Sequence, residues 1–173
     1  MRIFLVSFVT ALLIMLELLA GNYGLCLAFP LIGSVYFAVA YRKRAGFISA
    51  CAAGLVLDAL YCRDEMLLML LYPAAVLAAL QIIRQTRRRM PFAPLAAGAV
   101  LGAVVNGGNI VLCLIYQVPL NGPDLPSMLV FQVTVSAILM LLFTWTADAL
   151  AFKCNLPRFK YTGNDSSRRH EHE

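Results

Sequence analysis

Three carboxylates, Glu17, Asp58 and Asp148, stand inside otherwise apolar stretches of this chain. A charged side chain in hydrocarbon is costly unless it is paired, hydrated or neutralised, so each is a candidate for function. The chemistry to consider first is proton transfer between two acids. An aspartyl dyad needs carboxyl groups close enough to share a proton. Asp58 falls near one end of its apolar run and Asp148 near the opposite end of its own, roughly 18 Å apart across a ~30 Å hydrocarbon core. They do not form one dyad. Glu17 and Asp58 lie three and four residues from the ends of their runs, about 5 to 6 Å at 1.5 Å per residue, within reach of interfacial water.

Nothing else in the chain has the spacing of a catalytic or metal centre. His170 and His172 alternate with Glu171 and Glu173 in a polar terminus, a solvated pattern. Five cysteines, an odd number without C-x-x-C spacing, make neither a disulfide framework nor a zinc ligand set. There is no nucleophile constellation and no glycine-rich phosphate loop. The expectation is a non-enzymatic protein with no cofactor and no metal. The net charge of +5 suggests nucleic acid only if it gathers on one water-facing surface. Here the basic residues sit in short clusters between apolar runs, and no nucleic-acid partner is expected.

Of 173 residues, 61% are hydrophobic and 13% charged, with a mean hydropathy of +0.79, far from the balance of a soluble domain. Six runs approach the roughly 20 residues a membrane-spanning helix needs: 3–20, 25–41, 45–62, 66–83, 92–116 and 128–152. The fold class expected is an all-α six-helix transmembrane bundle, with residues 1–152 as one transmembrane domain and 153–173 as a polar, mobile cytoplasmic tail behind Pro157. Counting Lys and Arg on alternate sides of six spans puts thirteen of the fourteen on one side, leaving Arg63 alone on the other. Basic loops stay in the cytoplasm, so both termini face inward. The outer links are short: a turn at 21–24, a link at 63–65, and 117–127 with Pro119, Pro123 and Pro126. Pro30 and Pro73 are expected to interrupt the second and fourth helices by freeing the carbonyls of Cys26 and Met69.

Small residues mark where helices must approach. Gly46, Ala50, Gly54 and Asp58 recur every four residues in the third run, a ridge that ends in an acid. Such a ridge lets another backbone come close and turns Asp58 into the protein, where Arg63 or a helix polar group satisfies it. The fifth run carries Gly98, Gly102 and Asn106, then Gly107, Gly108 and Asn109. Asn106 and Asn109 share a face and are read as interhelical hydrogen-bonding groups.

The stretch from Leu27 to Arg89 resembles the bacterial rod-shape-determining protein family MreD. It has a proline-containing second span, a basic loop, a helix reading Gly54-Leu-Val-Leu-Asp58, a short turn, another span and a basic cluster. Cys62 and Met66 depart from the family pattern, which has glycines near the turn. The resemblance covers about a third of the chain. It implies a membrane scaffold of the cell-elongation machinery in the bacterial inner membrane, binding an MreC-like membrane protein and linking the MreB cytoskeleton to peptidoglycan synthases. The basic loops would meet anionic lipid headgroups. The MreD fold is similar to that of the substrate-binding subunits of energy-coupling-factor transporters, which supplies the alternative: a vitamin-like solute binder. That alternative wants a small-residue face on the first helix, which offers Ser7 and Ala11 before Met15, and outer aromatics, which number Tyr23, Tyr61 and Tyr116.

Overall fold

The computed structural model describes residues 2–22, 27–61, 67–86, 93–115, 125–153, 156 and 159, and these form six α-helices: α1 Arg2–Gly21, α2 Phe29–Ala40, α3 Lys43–Leu60, α4 Leu67–Thr86, α5 Ala93–Ile115 and α6 Leu125–Lys153. Among the described residues there is no strand. Long runs of Leu, Ala and Met favour the helical state, and the polar side chains that interrupt them are hidden by local bonding. The five threonines of these helices, Thr10, Thr86, Thr134, Thr144 and Thr146, each donate to the carbonyl four residues back. A hydroxyl bonded this way presents little polarity to an apolar surrounding.

Contacts fix an up-and-down arrangement. Gly46, early in α3, lies against Ala38 late in α2, Gly54 late in α3 against Leu68 early in α4, and Gly108 late in α5 against Leu71 early in α4. Gly98 and Gly102 of α5 face Ala137 and Val133 of α6, again in opposite directions. The exposed Arg42, Lys43 and Arg44 and the last-turn residues Arg84 and Lys153 therefore gather at one end of the bundle.

Helix α2 is the central post. It touches all five other helices, and ten of its twelve residues are buried. Leu31, Ile32 and Val35 form the heart of the core with Leu57, Val76, Leu101 and Met140. The outward faces of the other helices are apolar too, as Phe4, Phe8 and Met15 of α1, Leu70 of α4 and Phe131 and Trp145 of α6 illustrate. Four helices are long and apolar enough to cross a membrane, over Phe4–Gly21, Leu67–Thr86, Ala93–Val111 and Leu129–Lys153.

The structure corrects the sequence expectation at three places. The second run was expected to be helical over 25–41, but α2 begins only at Phe29 and is twelve residues long, about 18 Å. Pro30 consequently stands in the first turn, where its missing N–H costs nothing, and does not interrupt a helix already under way. Pro73, by contrast, does lie inside α4. Pro126, assigned to an outer loop, belongs to the first turn of α6 for the same reason as Pro30. The tail is not wholly detached, because Phe159 packs against the core.

Candidate interaction site

Each of the three acids that interrupt the apolar helices accepts from the backbone of a neighbouring segment. Glu17 leaves α1 one turn before its end and accepts from the amide of Phe29, the first residue of α2, at 3.0 Å. The backbone of Ala28 and Leu27 runs beside the same carboxylate. Ala28 has φ 55° and ψ 37°, the left-handed region, while Phe29 is helical. The Glu17 carboxyl sits at the N-terminal, positive end of the α2 dipole. Leu27 and Ala28 are buried just outside α2, and the Ala28 carbonyl accepts from the Leu31 and Ile32 amides, the first bonds of the helix. Glu17 itself is 5% exposed, and its hydrogen-bond partner is the Phe29 amide.

Asp58 repeats the device one helical hairpin later. Its Oδ2 accepts from the amide of Met69 at 3.1 Å, in the first turn of α4, where no intrahelical acceptor exists. A carboxylate on α3 thus caps α4 from outside. The approach depends on Gly54, one turn earlier. A Cβ there would stand 2.5 Å from the carbonyl oxygen of Leu68 and 2.8 Å from the Cα of Met69, closer than real atoms come. Gly54 and Asp58 are therefore one unit, the first allowing backbone contact and the second bonding the amide it brings near. Asp58 Oδ1 is buried and has no hydrogen-bond partner among the described residues. Arg63, its other expected partner, lies outside the described residues.

All four members of the α3 ridge are buried, and they serve two neighbours. Gly46 packs on the Ser34 carbonyl and Ala38 of α2, while Gly54 and Asp58 meet α4. Between them Ser49 donates to the Ser34 hydroxyl at 2.9 Å, and Ser34 donates to the Pro30 carbonyl at 2.8 Å. The serine pair was not singled out from the sequence, although Ser34 and Ser49 are the only serines or threonines in those two runs. At their C-terminal ends α1 and α3 converge, with Gly21 against the Tyr61 hydroxyl, so Glu17 and Asp58 occupy the same end of the bundle.

The second small row, on α5, faces α6. A Cβ on Gly98 would meet Ser136 O and Met140 Cβ at 2.6 Å, and one on Gly102 would meet Val133 Cα at 3.0 Å. Asn106 differs from expectation: its amide donates to the Gly102 carbonyl of its own helix at 2.8 Å, not across to a neighbour. Asn109 is half-buried. Ser136, unnoticed in the sequence, is fully buried in this interface, and its hydroxyl has no partner among the described residues.

Asp148 lies at the opposite end from the other two acids. Its Oδ1 accepts from the Tyr36 hydroxyl at 3.0 Å and from the amide of Phe159 at 2.8 Å. His170 and His172 fall outside the described residues. The three acids thus work as acceptors at three separate places: Glu17 and Asp58 bond amides in the first turns of α2 and α4, and Asp148 joins the Tyr36 hydroxyl of α2 to the Phe159 amide. No family model matches the chain, and no curated protein or solved structure matches it.

Proposed function

We propose that this chain is a non-enzymatic membrane scaffold of the cell-elongation machinery, of the MreD type, holding an MreC-like protein and through it MreB and the peptidoglycan synthases. The observation that carries the reading is the Gly54–Asp58 unit. The residues by which the chain resembles that family clamp α3 to the first turn of α4, a structural use of the acid. The scaffold reading is favoured over a vitamin-like solute binder because Glu17 and Asp58 are both committed to backbone amides.

The proposal includes six spans with both ends in the cytoplasm of a bacterial inner membrane. Four helices qualify by length and composition. In the proposal α2 is the central post, surrounded by protein, so it needs no lipid-facing length. α3 carries Lys43 and Arg44 at its inner end, and its Asp58 is covered by α4. The gathered basic residues at one end support the orientation, and they would lie against anionic headgroups.

The test is replacement of the native copy in a rod-shaped host. Asp58→Ala is expected to produce rounded cells, with Asp58→Asn milder because an amide oxygen can still accept from Met69. Cells that stay rod-shaped on depletion and acquire a nutrient requirement would overturn the proposal in favour of a solute binder.

A further inference from the structure

We propose that Asp148 is a latch that straps the chain leaving α6 onto the inner end of α2. Three independent features converge there. The first is hydrogen bonding: a single oxygen, Asp148 Oδ1, joins the Tyr36 hydroxyl of α2 to the backbone amide of Phe159, 11 residues further along the chain. The second is ring packing. Phe159 stacks on Tyr36 with centroids 6.2 Å apart and planes 16° from parallel, while Phe143 and Phe37 meet the same ring edge-on at 5.8 and 6.2 Å. The third is chain reversal, begun where the Leu156 amide bonds the Ala151 carbonyl at 2.9 Å and ended by Phe159 packing on both core clusters.

The placement of Asp148 argues for a latch and against a helix-stabilising role. It stands five residues before the end of α6, and both of its hydrogen-bond donors come from outside that helix. The post is consequently held at both ends by acids of other helices, at Phe29 by Glu17 and at Tyr36 by Asp148. The inner hold passes through the Tyr36 hydroxyl, the Phe159 amide and the Phe159 ring, and it ties the cytoplasmic tail directly to the one helix that touches all the others. A cytoplasmic partner that draws on the tail therefore acts on α2.

Trypsin reads the latch directly, because the amide nitrogen bonded to Asp148 belongs to the Arg158–Phe159 bond that the enzyme cuts. The Arg169–His170 bond, ten residues beyond Phe159 and outside the strap, is the internal reference. With the full-length protein in detergent and fragments timed by mass spectrometry, cleavage at Arg158–Phe159 is expected to be at least about tenfold slower than at Arg169–His170, since proteolysis follows the population of the open form. Phe159→Ala and Asp148→Ala should each abolish the difference, and Tyr36→Phe, which keeps the rings and loses one hydrogen bond, should reduce it. Equal cleavage of the two bonds in the unaltered protein overturns the proposal. So does protection that survives Asp148→Ala or Phe159→Ala, which would assign it to the detergent. If Asp148→Ala fails to fold by circular dichroism, Phe159→Ala, altered beyond the last helix, decides alone.

Discussion

Asp58 of α3 bonds the backbone amide of Met69 in α4 at 3.1 Å, so an acid on one helix supplies the N-terminal cap of the next. The cap comes from another helix because the first turn of α4 offers none of its own: Leu67, Leu68 and Met69 have no side chain that can accept. Removing the carboxylate leaves a buried N–H unpaired. Asp58→Ala is expected to destabilise the protein by about 1–3 kcal/mol, read as a lower Tm in detergent, with Asp58→Asn losing less.

The glycines separate by what stands opposite them. At Gly54 a methyl group would press on the Leu68 backbone, whereas nothing lies within 4 Å of a Cβ at Gly107. Gly54→Ala should lower folded yield and Tm, and Gly54→Leu should do so severely. Gly107→Ala should be neutral or stabilising, by up to about 1 kcal/mol from helix propensity. Leu55→Ala, on the exposed face of α3, serves as the mild control. Equal behaviour of Gly54→Leu and Leu55→Ala in gel filtration would contradict the packing described for α3 and α4.

Glu17 and Asp58 each accept from one first-turn amide, and beside Glu17 the chain also passes through the left-handed Ala28. Glu17→Ala is therefore expected to cost at least as much stability as Asp58→Ala, and Glu17→Gln less than either. Hydrogen exchange at the Phe29 amide should rise in Glu17→Ala and stay low in Asp58→Ala, because the two acids guard different helix ends.

The helix ends were legible in the sequence to within three residues for α1, α3, α4, α5 and α6. Their apolar runs stop at the Gly-Asn turn after α1 and elsewhere where charges or clustered prolines begin. The start of α2 was not legible. Leu25 to Phe29 are apolar whether helical or not, and the signal that ends the helix is a carboxylate twelve residues earlier in sequence, invisible to a local window. The Gly54–Asp58 ridge could be read because a four-residue period of small side chains implies a close neighbour. The identity of that neighbour could not, and neither could the division of the ridge between α2 and α4. Asp148 was marked by its charge, but its bond to Tyr36 spans 112 positions, and nothing local to Tyr36 or Phe159 pointed to it.

The proposed orientation has its own check. Reporter fusions after Arg44, Arg89 and Lys160 should signal cytoplasm, and fusions after Arg63 and Asp124 the outside. A cytoplasmic signal at Asp124 would remove one span and reverse the assignment of the ends.

The scaffold proposal is tested most directly by tagging this chain in its native host, solubilising the membranes in mild detergent and identifying what is retained by mass spectrometry. An MreC-like protein is expected to be retained by the unaltered chain and by Leu55→Ala, and to fall several-fold with Asp58→Ala. Retention of transporter energising subunits without any MreC-like protein would contradict the scaffold.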